Sequence, residues 1–125
     1  MTRFALPLLI ALLFAACGPA QDGPAPRVYF ESPQDGASVD TTFSVVMAAE
    51  GVRVVPAGTM EDGTGHFHIL LDVPFVDAGT MIPADARHIH YGDGSTTTEL
   101  TLEPGTHTLR LQLADGAHAA LEGLQ

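Results

Sequence analysis

The sequence predicts an all-β domain, an immunoglobulin-like sandwich of about seven short strands. Three observations lead there. No long segment repeats its apolar residues at the helical period; short runs of β-branched, aromatic and leucine residues recur instead. These runs are interrupted by turn-forming residues, with 13 Gly and 9 Pro in the chain. Several runs also alternate apolar with polar side chains, the period of a half-buried strand.

The runs follow in order. Arg27 to Glu31 is a strand closed by Ser32-Pro33, and Pro33-Gln34-Asp35-Gly36 is a turn. Thr42 to Ala48 alternates, with Phe43, Val45 and Met47 on one face and Thr42, Ser44 and Val46 on the other. Val52 to Val55 is a short strand stopped by Pro56. Asp62-Gly63-Thr64-Gly65 feeds His66 to Leu71, the most strand-like run. Asp77 to Asp85 is irregular, and Arg87 to Tyr91 is a short strand before the turn Gly92-Asp93-Gly94. Thr97 to Leu102 and His107 to Ala114 flank the loop Glu103-Pro104-Gly105-Thr106. Leu109, Leu111 and Leu113 alternate with Arg110 and Gln112, which predicts one buried face and one wet face. Little chain follows, so a final edge strand is expected to be missing or very short.

A length of 125 residues suits one small domain, expected over residues 27–125. Fifteen Asp and Glu face five Arg and no Lys, for a net charge of −10. Neutralising phosphates needs basic side chains, so nucleic acid is excluded as a partner, as is docking on anionic headgroups through a basic patch. The single cysteine cannot form an internal disulfide.

That cysteine has another role in view. Arg3 precedes an apolar run from Phe4 to Ala16, too short to span a bilayer but the length of a signal-peptide core. The run ends in Phe14-Ala15-Ala16-Cys17-Gly18, which resembles the bacterial lipobox, with Phe14 where leucine is usual. Residues 1–16 are therefore expected to be a lipoprotein signal peptide and Cys17 the lipidated residue, attaching the chain to a membrane through its N-terminal lipid. Residues 17–26, rich in Pro, Gly and Ala, read as a flexible tether. The expected location is the bacterial cell envelope, facing the periplasm. Gly18 is not the aspartate that goes with inner-membrane retention, which favours the outer membrane.

Six histidines stand in this lysine-free chain: His66, His68, His88, His90, His107 and His118. Four of them form two His-x-His pairs. On a strand, residues i and i+2 share a face about 6.6 Å apart. Imidazole nitrogens ligate metals at about 2.0–2.1 Å, so two such side chains can converge on one ion. Pairs on neighbouring strands would bring four imidazoles together. The candidate ligands are His66, His68, His88, His90 and His118, and all-imidazole sites suit copper or zinc. Thioether ligands would point to copper(I), and Met60 and Met81 lie in loops near the pairs, although loop methionines more often fill gaps. Asp72 and Asp93 are candidates for orienting the imidazoles. The competing assignment is a hydrogen-bonded polar patch. The better core face of the His66–Leu71 run is Phe67, Ile69 and Leu71, which leaves His66 and His68 on the outer face or rim. His107 is in register with Leu109, Leu111 and Leu113 and reads as a structural residue facing the core. It stands at a corner where sandwiches often place a tyrosine that bonds the backbone.

These motifs also run in the order of a known family. Pro33-x-Asp35-Gly36-Ala37, Pro56-Ala57-Gly58, Gly65-His66-Phe67-His68 with Leu70-Leu71-Asp72, and His88-Ile89-His90-Tyr91-Gly92-Asp93-Gly94 come first. Leu102-x-Pro104-Gly105-x-His107-Thr108-Leu109 and Asp115-x-x-His118 follow. Over Val28 to about His118 the chain resembles the bacterial domain of unknown function 4399. The resemblance implies export and a single fold, with these histidines as the hallmark, and brings no assigned reaction. Members of that family usually continue past Asp-x-x-His into another strand.

The expected function is a lipid-anchored envelope protein that binds a transition metal, copper or zinc, through the histidine pairs, and not an enzyme. The alternative is a structural or interaction module with structural histidines. A third reading is a redox enzyme similar to copper–zinc superoxide dismutase, also a sandwich with a His-x-His strand. The disulfide cysteines of that enzyme are absent and the later histidine spacing differs. Ser32, Ser38, Ser44 and Ser95 show no nucleophile elbow, so hydrolase chemistry is the least supported.

Overall fold

A computed structural model describes residues 23–125. The expected signal peptide, Cys17 and most of the tether lie outside the described residues; Gly23–Pro26 carries no regular structure. Seven strands follow: β1 (Arg27–Ser32), β2 (Thr42–Glu50), β3 (Arg53–Val54), β4 (Thr64–Leu71), β5 (His88–His90), β6 (Thr97–Thr101) and β7 (Leu109–Ala114). Every predicted run forms a strand, and there is no helix among the described residues.

The strands form two sheets. One has the order β1-β2-β6, antiparallel throughout. The other is built on β4, which pairs antiparallel with β7 along one edge. On its other edge the carbonyls of Gly63, Gly65 and Phe67 accept from the amides of Arg53, Val55 and Tyr91. Carbonyls two residues apart point the same way, so β3 and β5 share that edge, β3 parallel and β5 antiparallel. Two such sheets face to face make an immunoglobulin-like sandwich.

The inner faces meet as the alternation requires. Val45 and Met47 of β2 and Leu100 of β6 pack on Phe67 and Ile69 of β4 and Leu111 and Leu113 of β7, all buried. Among the described residues no strand follows β7. Its free edge is taken instead by the tail, where the Leu121 amide donates to Leu113 O and the Leu113 amide to Leu124 O, both at 3.0 Å.

The outer face of the β4–β7 sheet is not the wet face expected. Gln112 is buried, and so are Leu70 and Ala114. The irregular segment after β4 folds back over them. The Gln112 amide clasps Val76, with Nε2 donating to Val76 O at 2.7 Å and Oε1 accepting from the Val76 amide at 3.1 Å. Arg110 donates to Val73 O at 2.9 Å. Ile82, Ala114 and Ala120 form a second, smaller core beneath this cover. His107 also departs from its expected place, since β7 begins only at Leu109 and the ring is partly exposed outside the core. It keeps the corner role: Nδ1 lies 2.7 Å from Asp72 Oδ2 and Nε2 2.8 Å from Glu103 O.

Candidate metal centre

β4 sets His66 and His68 on its outer face, because Phe67 and Ile69 occupy the core face. Both are buried on that face, His66 0% and His68 1% exposed, instead of standing on a rim. Register then selects the third imidazole. Across the β4–β5 ladder, His68 pairs with His90, while His88 pairs with Leu70. A second His-x-His pair therefore overlaps the first by one histidine only.

The fourth imidazole comes from the loop after β7. Asp115 Oδ1 accepts from the amides of Ala117 and Ala119, and the His118 amide donates to Asp115 O at 2.9 Å. This tight turn holds His118 in the left-handed region, φ 68°, which histidine tolerates better than most residues. Its ring is thereby returned toward β5.

The four rings converge. His66 lies 4.9 Å from His68, 5.0 Å from His90 and 5.0 Å from His118, centroid to centroid. His90 and His118 are 4.8 Å apart, and the widest separation, His68 to His118, is 6.2 Å. His66 and His68 face each other through Nε2 atoms 3.0 Å apart, and His90 and His118 through Nε2 atoms 3.1 Å apart. Ligand nitrogens of His66, His68 and His90 all lie within 4.8 Å of one another. Four nitrogens at 2.0–2.1 Å from one ion are separated by about 3.3 Å in a tetrahedron, or about 2.9 Å between neighbours in a square plane. The observed pairs fall between these values.

Burial and mutual repulsion favour the neutral form of His66, His68 and His90. Desolvation, with the neighbouring charges His90 and His118 would carry, pushes His66 down to about 4. Desolvation and the surrounding histidines push His68 down to about 3. His90 is lowered for the same reasons, partly offset by Asp93. Neutral imidazole is the state that accepts a metal. The Nδ1 atoms of His66 and His68 are buried without a hydrogen-bond partner.

The other sequence candidates sit elsewhere. His88 Nδ1 is 2.9 Å from Asp85 Oδ1, so this histidine belongs to a turn contact and not to the four-ring cluster. Asp72 holds His107 and the Thr108 amide, and Asp93 Oδ1 accepts from the Ser95 amide at 2.9 Å. Neither orients a ring of the cluster through a hydrogen bond. A residue without a side chain contributes instead: a Cβ on Gly92 would overlap the His90 ring atom Cε1. Glycine there lets His90 fold back over its own turn, and the only sequence trace of this is the Gly-Asp-Gly that follows His90.

No curated protein and no solved structure matches the chain significantly. A family model does match, over residues 45–124, and its span includes all four clustered histidines and the strands that carry them. With most of its length matched, the chain belongs to the family described as domain of unknown function (DUF4399).

Proposed function

We propose that this chain is a lipid-anchored protein of the bacterial cell envelope that binds one transition-metal ion, copper or zinc, through His66, His68, His90 and His118. The observation that carries this reading is the convergence of four imidazoles whose Nε2 atoms face one another in pairs at 3.0 and 3.1 Å. The acidic chain favours cations near its surface.

The test is equilibrium titration of the metal-free full chain with copper(II) and zinc, followed by elemental analysis of the gel-filtered protein. One ion per chain, lost in a His66→Ala/His68→Ala variant that stays folded, supports the reading. A folded wild type that retains no transition metal refutes it and leaves the structural-module reading. The anchor is tested separately. Cys17→Ala should release the protein from membranes or block its processing, and undiminished acyl labelling of that variant would refute lipidation.

A further inference from the structure

We propose that the ion this centre takes up is copper(I), and that Met60 and Met81 are its first ligands at the protein surface. The proposal rests on the metal-binding reading above and adds the oxidation state and the uptake route.

The two methionines are not gap-fillers. Met60 is 71% exposed and Met81 66%, the most exposed large apolar side chains among the described residues. A methionine used for packing is buried, because its value there is contact. Both are also attached to the same short loop, the Asp115–Ala119 turn that presents His118. The Gly58 amide donates to Gly116 O at 2.9 Å, and a Cβ on Gly116 would come within 2.8 Å of Met60 Sδ. The Met60 thioether thus lies across Gly116. On the other side Met81 pairs antiparallel with Ala119, and the Ile82 amide donates to His118 O at 2.9 Å. Met60 and Met81 are thus both held against the loop that carries His118, whose Nε2 meets that of the exposed His90.

Chemistry assigns the order of events. Thioethers are soft, uncharged ligands that favour copper(I), whereas zinc in proteins is held by thiolate, imidazole and carboxylate ligands. His90 and His118 are the accessible imidazoles, and His66 and His68 lie buried behind them. Copper(I) captured by Met60 and Met81 passes to His118 and His90, and then to the buried pair. Each step exchanges one neutral ligand for another, with no electron transferred and no proton released from a neutral imidazole.

The test compares two metals on the metal-free full chain. Copper(I) is supplied without oxygen as its bicinchoninate complex, and zinc as its complex with a coloured indicator; loss of each colour reports uptake. Leucine nearly matches methionine in volume, and both sites are exposed, so Met60→Leu/Met81→Leu should fold. Its copper(I) uptake is expected to slow at least about tenfold, a barrier change of about 1.4 kcal/mol, with zinc uptake unchanged. Equal copper(I) uptake by variant and wild type overturns the route while the metal centre stands. Equal slowing of both metals overturns it too, because loop disturbance and not thioether chemistry would then be at work. A wild type that takes zinc and refuses copper(I) overturns the choice of ion. A wild type that takes neither metal removes the centre itself.

Discussion

His90 and His118 are 28 residues apart in the chain, and their Nε2 atoms lie 3.1 Å from one another. One stands at the end of β5 and the other in the turn after β7, two elements that never pair with each other. Each reaches the other only because β4 pairs with β5 on one edge and β7 on the other. The centre is thus assembled across the middle strand of a sheet, with its two buried rings on that strand.

Metal affinity should distinguish the clustered histidines from the rest. His90→Ala and His118→Ala should each weaken binding by more than the roughly 10–100-fold that loss of an outer-shell partner costs. His88→Ala should leave it unchanged, because His88 contacts Asp85 and pairs with Leu70. Competition titration against a chelator of known affinity checks all three. A His88→Ala loss as large as that of His90→Ala would contradict the register seen here.

Gly92→Ala should weaken the centre without touching a ligand. The new Cβ would overlap the His90 ring, and His90 is exposed, so the ring has room to swing outward. Thermal melting should barely change while metal affinity falls at least about tenfold. Crystallography or histidine NMR of the variant would show the displaced ring.

Acid should destabilise the metal-free fold through the buried pair. The folded values of His66 and His68, about 4 and about 3, lie below the ordinary 6.5 expected of the unfolded chain. Between these limits the unfolded state binds more protons, so stability falls as pH drops. The contribution is fully present above 6.5 and is lost progressively toward 4 and 3. Urea denaturation at a series of pH values should show this slope, and a folded His66→Phe/His68→Phe variant should flatten it. The same depression means that protons compete with metal at the buried pair only well below 6.5, lower than the unperturbed histidines of the sequence would suggest.

His107→Ala should reduce stability and leave metal affinity intact. The ring ties Asp72 to the Glu103 carbonyl, away from the cluster. The Asp72 hydrogen bond raises His107 above 6.5, so its contribution is complete below that value and fades as pH rises through the folded value. His107 and the Thr108 amide lower Asp72 below 3.8, so its contribution is complete above 3.8 and fades in acid. The pair is therefore most effective between 3.8 and 6.5, and the melting-temperature difference between wild type and variant should be greatest there.

Gln112→Leu should loosen the cover over the centre. The substitution removes both bonds to Val76 and leaves that segment's amide and carbonyl unpaired, a loss of about 1–3 kcal/mol. Hydrogen exchange should accelerate at Val76, and His66 and His68 should become accessible to histidine-modifying reagents.

The strands were legible in the sequence because their causes are local. Alternation of Phe43, Val45 and Met47, or of Leu109, Leu111 and Leu113, needs only the pleat of the backbone, and Pro and Gly mark the ends. The same alternation separated His66 and His68 from Phe67 and Ile69. What the sequence could not carry was the pairing of one strand with another. A shift of register leaves each strand's own pattern unchanged, yet here it decided that His90 joins the cluster and His88 does not. Nor did any local pattern say that the polar face of β7 would be covered. Gln112 reads as a wet residue, and it is buried because the chain around Val76 returns to bond it. Histidine identity and spacing came from sequence alone; which four imidazoles meet, and how dry they are, came from register and loop closure, which act between residues far apart in the chain.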